Sequence, residues 1–392
     1  MLPTIASIVR KIAYGKDLTS EEARQALNVI GDNDFITDFQ HSDGLYFLAL
    51  TLGIMAKGPT ADELLGFVRS LGDRSIHFST HLEPERITDV SGTGGDRIKT
   101  FNIGTTASFI IAASGLAVAK QATRSYTGLT GSADVFKAVG LDPNVVRPSD
   151  VTRCLEEVGI VAFYTPAFTE GFRNRIDFLT KLKKIGLTYP TPWHLISWVY
   201  SPFTMRSRLY GVFSDKYLVL LARIFRDLGY ARVMVVHGED GLDEISNVGE
   251  TKVAELAEGR IREYVITPEE MGVQRANAQD IQTLTSEEDH KLNASETSQD
   301  EKDKILLEGR SRNLAHFIRI IYGRDTSPRR DIVLLNAGAA LYLGGKANTI
   351  RDGVNLSRSL IESKAAARKL EELSAHFAGR KDLESLKEQA GL

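Results

Sequence analysis

The sequence predicts an α/β protein: a small N-terminal helical domain, then a larger α/β domain with a mainly parallel central sheet. Three observations carry this prediction. The first eighty or so residues show helix-start signals and helical periodicity, and no strand pattern precedes residue 86. The grammar then changes to short apolar runs that alternate with helical stretches. The first of these, "RITDVSG", "TGGDRIKT", "FNIGTTASFIIAASG" and "LAVAKQ", reads strand, loop, helix, strand, and such a βαβ unit joins parallel strands.

Each element has a local reason. "LTSEEARQALNVIG" opens on Thr19 with Glu22 three positions later, a capping box, and "PTADELLGFVRSLG" repeats the device with Thr60 and Glu63. Leu64, Leu65, Val68 and Leu71 then form an apolar helical stripe. Residues 1–83 are accordingly expected to form the helical domain and 84–392 the α/β domain. Gly115 stops the helix that begins near Phe101. "SDKYLVLLARIFRDLG" reads as an amphipathic helix capped by Ser214, and "ARVMVVHG" as a strand. "KVAELAEGRIREYVIT" reads as two strands joined at Glu258–Gly259. Helices rich in Leu and Ala follow from Ile305. Residues 283–304, "TLTSEEDHKLNASETSQDEKDK", are polar and acidic, an exposed loop or solvated helix without chemistry of its own.

Composition narrows the function. A chain of 392 residues, 42% hydrophobic and 25% charged, suits a soluble globular protein of two domains. A net charge of −3 gives no electrostatic reason to expect nucleic acid or an anionic membrane as the main partner. The single Cys, Cys154, excludes an intrachain disulfide and fits a reducing compartment. The N-terminal apolar run is too short for a signal peptide and no apolar stretch reaches about 18 residues, so the expected location is the cytoplasm.

Three segments carry candidate chemistry. In "SGTGGDRIKTFN", Gly92, Gly94 and Gly95 allow close backbone approach and line up N–H groups, and the following helix turns its positive end to the same place. That is an anion site or, alone, an ordinary tight turn. "KQATRSYTGLTGSAD" follows the next strand of the same unit, so both loops fall on one sheet edge. There Lys120 and Arg124 supply charge, Ser125, Thr127, Thr130 and Ser132 supply hydroxyls, and Gly128 and Gly131 let the chain turn. Two such loops suggest a ligand with two separated anionic groups. "VVHGEDGLDEIS" places four carboxylates within six residues directly after a strand, and Asp243 and Glu244 offer the hard oxygens that Mg²⁺ takes beside phosphates. No nucleophile is evident. A sugar carrying pyrophosphate at C1 needs none, because the leaving group is already good and positioning with electrostatic stabilisation suffices.

The segments "GTGGD" with "TFNI", "AKQATRS", "TGSAD", "VVHGEDGLDEIS" and "RRDIVLLNAGAALYLGGKA" resemble anthranilate phosphoribosyltransferase, of the glycosyltransferase-3 and nucleoside phosphorylase-phosphoribosyltransferase class, over about residues 10–375. The resemblance implies a helical domain, completed by a segment around residues 168–205, beside an α/β domain, with the site in the cleft between them. It implies Mg²⁺-dependent transfer of phosphoribosyl from 5-phosphoribosyl-1-pyrophosphate to an aromatic amine, in tryptophan biosynthesis, by a homodimer joined through the helical domain. Carried over by position, Gly92, Gly95, Asp96, Thr100, Asn102, Thr105, Lys120, Arg124, Ser125 and Ser132 hold the donor, together with Thr127 and Gly128 of the same loop. Asp243 and Glu244 bind the metal, and Gly92, Thr123, Trp193 and His194 face the acceptor.

The departures from the family pattern fall mostly on the acceptor side. Gln121 and Thr123 stand for the usual His and Asn, and Gly104 for a Ser that ligates metal. The Arg that pairs with the anthranilate carboxylate falls on Pro190 or Thr188, which should weaken anthranilate binding. Trp193, His194, Trp198, Tyr189 and Tyr200 in this segment either stack on a different acceptor or pack the domain. A nucleoside phosphorylase of the same fold and a non-catalytic nucleic-acid-binding relative are the alternative readings.

Overall fold

The computed structural model describes residues 4–30, 38, 40–94, 98–122, 130–169, 172–184, 186, 190–196 and 198–392, with backbone alone for 172–174. The chain forms two compact units, one of residues 1–78, 165–203 and 219–230, the other of residues 79–164, 204–218 and 231–392. No helix among the described residues is long and apolar enough to cross a membrane.

The first unit begins with helices α1 (Ile5–Ala13), α2 (Ser20–Ile30), α3 (Ser42–Lys57) and α4 (Ala61–Asp73). Both capping boxes form: Glu22 N donates to Thr19 Oγ1 while Glu22 accepts from Thr19 N, and Thr60 and Glu63 do the same. Glu63 does more than cap. It is fully buried, accepts from Leu18 N at 2.9 Å and pairs with Lys57 Nζ at 2.8 Å, so one carboxylate ties three segments together. Helices α2 and α4 pack closely at Gly66, where a Cβ would sit 2.7 Å from Ala23 Cβ and 2.9 Å from Arg24 N. Arg24 clasps Asp73 across the same pair at 2.6 and 2.7 Å.

The second unit is built on a seven-stranded sheet. Its chain runs β1 (Ile87–Gly92), α5 (Ile103–Ala113), β2 (Ala117–Gln121), α6 (Ser132–Ala138), α7 (Pro148–Val158) and β3 (Ile160–Phe163). Helices α8 (Phe172–Lys184) and α9 (Pro192–Ile196) intervene, within the first unit's span. Strand β4 (Ser207–Gly211) follows, then helix α10 (Leu218–Asp227), which lies in the first unit's span apart from Leu218, and strands β5 (Arg232–Gly238), β6 (Thr251–Ala257) and β7 (Arg260–Ile266). The chain closes with α11 (Ala278–Ile281), α12 (Ser286–Asn293), α13 (Gln299–Ile321), α14 (Pro328–Leu343), α15 (Ile350–Glu362), α16 (Ala365–His376) and α17 (Arg380–Gln389).

Strand order is β3-β2-β1-β4-β5-β6-β7. The first five strands in that order are parallel, and β5-β6-β7 is antiparallel, so the sheet is mainly parallel as expected. The β6–β7 turn falls at Glu258 and Gly259, both with positive φ. Strands β1 to β4 are almost wholly buried, which fits a sheet covered on both faces, and α5 and α14 pack against them. The α14–α15 crossing is close because a Cβ on Gly338 would approach Val354 N to 2.5 Å.

One local expectation changes, and one of two alternatives is realised. The Ser214 side chain makes no cap bond, and the first turn after it, Asp215–Tyr217, is a 3-10 turn preceding α10. Residues 283–304 are largely helical, since Thr285 and Glu288 box the start of α12 and Glu288 pairs with Arg312 of α13 at 2.8 Å. Composition shows the solvation of such a segment but not the partner that holds it.

Gly66→Ala should destabilise the protein by about 1–3 kcal/mol, since the added methyl has nowhere to go between α2 and α4. Urea unfolding checks this, and an unchanged midpoint would show that the two helices are free to part.

Candidate active site

The site follows from the strand order. Strands β1, β2 and β3 step outward in one direction, and β4 then returns to the other side of β1. The parallel sheet therefore has its switch point between β1 and β4, where the loops beyond the carboxyl ends diverge and leave a crevice. Gly92 and Gly211 close the two strands there, paired with each other in register. Asp243, from the loop after β5, lies across both ends: a methyl on Gly92 would overlap its carboxylate, and one on Gly211 its backbone carbonyl. Gly94, with φ of 69°, turns its N–H to Asp243 Oδ2 at 2.7 Å. Thr93 completes the lacing, donating through N to Gly211 O at 3.0 Å and accepting from Phe213 N at 3.0 Å.

The acidic loop is held from two sides. Ser246 Oγ donates to Asp240 Oδ2 at 2.6 Å. Asn336, buried in α14, accepts from Ile245 N at 3.0 Å and donates to Ile245 O at 2.9 Å. Sequence reasoning missed Asn336, and its signal was a lone amide inside the apolar run "VLLNAGAALYL".

Under the strand ends lies a buried charge cluster. Arg208 of β4 pairs with Asp89 of β1 at 2.6 Å and donates to Ser91 Oγ at 3.0 Å. Lys120 Nζ, from the end of β2, donates to Val90 O and lies 3.8 Å from Asp89. The ammonium expected to meet an anion is thus held at the strand ends in this structure, and reaching a ligand requires it to leave Val90. Burial pushes the Lys120 pKa down and Arg208 adds to this, against Asp89, Glu244 and Asp243. Glu244 is pushed well above the usual carboxylate range, by burial first and then by Asp243 and Asp240. Its Oε2 is buried without a hydrogen-bond partner. Asp89 and Arg208 were also missed, although a charge inside an apolar strand run is a readable sign of pairing.

The helix after the glycine turn is anchored at its start. Asn102 precedes α5, and Asn313 of α13 grips it reciprocally, accepting from Asn102 N at 3.3 Å and donating to Asn102 Oδ1 at 2.9 Å. Thr105 is buried on the first turn of α5, and Thr100 bridges to Gln282. Ser132 is the first residue of α6, on the chain that leaves the end of β2. At Gly104 a Cβ would meet Val90 Cγ1 at 3.5 Å, an ordinary contact, so the space for the family's Ser is present. Gly95, Asp96, Thr123, Arg124, Ser125, Thr127 and Gly128 lie outside the described residues, as do Thr188 and Tyr189.

Trp193 is corrected. It is 3% exposed in the first unit, with its ring stacked on Phe47 at 5.1 Å and on Phe67 at 5.2 Å. Its Nε1 donates to Thr51 Oγ1 at 3.1 Å. A ring so engaged packs the helical core and has no face to offer an acceptor. His194 is bound locally, its Nδ1 2.8 Å from Thr191 Oγ1 and accepting from Thr191 N at 3.1 Å, and burial pushes its pKa down. Cys154 is buried beside Ile160 O and burial pushes its thiol pKa up, which suits an inert core residue.

Among the described residues no group of three or more His, Cys, Asp or Glu is arranged to hold a metal. The pair Asp243–Glu244 is nonetheless suited to share one. Its donors are hard oxygens, one is an orphan, and a divalent cation would relieve the crowding that raises the Glu244 pKa.

Fold and site define a glycosyltransferase-class α/β enzyme, and comparison with known proteins agrees. The profile of the glycosyl transferase family, a/b domain, matches residues 84–367. The anthranilate phosphoribosyltransferase of Symbiobacterium thermophilum is 34% identical over 367 residues, covering 94% of this chain and 96% of that protein. That of Geobacillus thermodenitrificans is 36% identical over 369 residues, covering 94% and 97%. The crystal structure of the Thermus thermophilus enzyme superposes with a TM-score of 0.77 at 28% identity, covering 94% of this chain and 99% of that one. The Saccharomyces cerevisiae enzyme in complex with PRPP and Mg gives 0.75 at 20% identity, covering 96% and 98%, a likeness of fold. The chain belongs to the anthranilate phosphoribosyltransferase family.

Glu244→Gln tests the crowded carboxylate without metal. A folded pKa raised above the unfolded value of about 4.3 means that native Glu244 resists ionisation, so wild type loses stability relative to Gln as pH rises from there. The melting temperature of Glu244→Gln minus that of wild type should be near zero at low pH and grow with pH. A difference independent of pH would contradict the crowding.

Proposed function

We propose that this protein transfers a phosphoribosyl group from 5-phosphoribosyl-1-pyrophosphate to an aromatic amine of the anthranilate type, with Mg²⁺ as cofactor. The observation that carries the reading is Asp243 seated on Gly92 and Gly211 at the switch point, with the Glu244 carboxylate, whose Oε2 has no hydrogen-bond partner, beside it. The names of the relatives support the same donor and acceptor.

In this reading Asp243 and Glu244 would hold Mg²⁺, which would supply charge neutralisation for the pyrophosphate leaving group. The chain's own residues do the positioning. Gly92 and Gly94 let the backbone approach the ligand, and Gly94 N–H fixes the Asp243 carboxylate in place. Asn102, locked by Asn313, and the N-terminal end of α5 face the donor with oriented N–H dipoles. Lys120 supplies the cation nearest the strand ends, and Ser132 a hydroxyl beyond β2. As the C1–pyrophosphate bond weakens, the sugar gains oxocarbenium character, and the carboxylates and fixed dipoles around it stabilise that charge. The acceptor amine forms the N–C1 bond as the C1–O bond to pyrophosphate breaks, pyrophosphate leaves with that electron pair, and the proton the amine loses passes to solvent. The helical unit leaves Tyr14, Val29, Leu45 and Leu52 exposed, which supports a homodimer through that unit.

Calorimetric titration with 5-phosphoribosyl-1-pyrophosphate, with and without Mg²⁺, tests the donor half. Wild type should bind more tightly with Mg²⁺, and Asp243→Asn should lose that enhancement by roughly tenfold or more. Pyrophosphate release on adding anthranilate tests the acceptor half. Equal donor affinity with and without metal would overturn the reading.

A further inference from the structure

Asn102 stands at a helix start and does not cap its helix. In the usual arrangement the side-chain oxygen of such an asparagine accepts from a backbone N–H two or three positions on. Asn102 occupies the N-cap of α5 and makes no such bond. The N–H groups of Gly104 and Thr105, in the first turn, have no hydrogen-bond acceptor among the described residues.

The reason is Asn313. This side chain, 1% exposed on α13, meets Asn102 with both ends of its amide: Oδ1 accepts from Asn102 N at 3.3 Å, and Nδ2 donates to Asn102 Oδ1 at 2.9 Å. The backbone fixes the polarity of this exchange. A backbone N–H only donates, so the Asn313 atom opposite it must be the oxygen. The Asn313 nitrogen then faces the Asn102 amide, and a donor there requires the Asn102 oxygen. Asn102 Oδ1 is thereby engaged away from the cap, and Nδ2, with its two donors, has no acceptor among the described residues.

Helix α13 is held against this stretch at further points. His316, one turn beyond Asn313, meets Phe101 edge-on at 6.1 Å. Arg312, the residue before it, donates to both carboxylate oxygens of Glu288 on α12, at 2.8 and 2.9 Å. The chain leading into α12 is stitched to the approach to α5: Thr283 N donates to Lys99 O at 3.0 Å, and Gln282 O accepts from Arg329 at 3.0 Å. The polar segment 283–304 thus braces the start of α5.

We propose that Asn313 is a positioning residue for the phosphoribosyl donor. It withholds the Asn102 oxygen from the cap, so that Asn102 Nδ2 and the first N–H groups of α5 present donors alone to a phosphate or pyrophosphate oxygen. Such oxyanions accept and do not donate, and an Asn102 oxygen turned to the same place would repel them. The inference rests on the phosphoribosyl reading of the site.

The test measures the affinity for 5-phosphoribosyl-1-pyrophosphate by calorimetry, with Mg²⁺ and without acceptor, alongside the melting temperature of each variant. The pH is about 8, where a carboxylate receiving two N–H bonds is ionised. In Asn313→Asp the new carboxylate still accepts from Asn102 N but meets the Asn102 amide as an acceptor, which turns Nδ2 inward and Oδ1 outward. Donor affinity should fall roughly tenfold to hundredfold with the melting temperature close to that of wild type. Asn313→Ala, which frees Asn102 to cap α5, should weaken the donor roughly threefold to tenfold and covers the case in which the Asp variant does not fold. In an Asn102→Ala background, Asn313→Asp should weaken the donor no further. Wild-type affinity in either single variant overturns the proposal, as does a full loss repeated in the Asn102→Ala background, which marks a merely structural role. Wild type that fails to bind the donor overturns the phosphoribosyl reading and the proposal with it, whereas wild type that binds no better than Asn313→Asp overturns the proposal alone.

Discussion

The second unit depends on one contact, the seating of Asp243 on two strand ends that have no side chains. Gly92 and Gly211 lie paired at the carboxyl ends of β1 and β4, and the Asp243 carboxylate and backbone occupy the space their Cβ atoms would need. Much of the site is a consequence. The glycine turn after β1 must curl so that Gly94 can donate to the same carboxylate, and Thr93 must tie the turn to β4. The loop after β5 must come back over the sheet edge, which Asn336 secures by gripping both backbone groups of Ile245. The switch point creates a crevice, and Asp243 converts it into a site with an acidic wall.

Electrostatics gives that wall its purpose. Three carboxylates, Asp89, Asp243 and Glu244, share the strand ends with the cations Lys120 and Arg208. Asp89 and Arg208 pair in the sheet through one short bond of 2.6 Å, the close geometry that a buried ion pair needs. Lys120 is left to balance the edge, and Oε2 of Glu244 remains without a hydrogen-bond partner. On the proposed reading, a divalent cation bound there would relieve the crowding of that carboxylate. A fold selected for stability alone would replace Glu244 with an apolar residue of similar size.

Much of this was legible in the sequence. The capping boxes at Thr19 and Thr60, the βαβ unit, the turn at Glu258–Gly259 and the family membership rest on local patterns, and local patterns survive folding. The parallel sheet edge also followed, because chain order and strand direction fix which loops share it. Non-local partners were invisible. Trp193 read as a stacking platform or as packing alike, because a sequence does not show that Phe47 and Phe67 already cover it. Ser214 read as a cap because the pattern does not distinguish a helix from a 3-10 turn preceding one. The amides of Asn313 and Asn336 work across 211 and 91 residues of chain, a separation no periodicity reports.

The account stands on the joining of glycine turn, lysine and acidic corner at one sheet edge. Crystals soaked with 5-phosphoribosyl-1-pyrophosphate and Mn²⁺ report this directly through the anomalous signal of the metal. The account predicts a peak within coordination distance of Asp243 and Glu244, with pyrophosphate density reaching toward Gly94 and Lys120. A metal and donor bound away from the ends of β1 and β4 would contradict it.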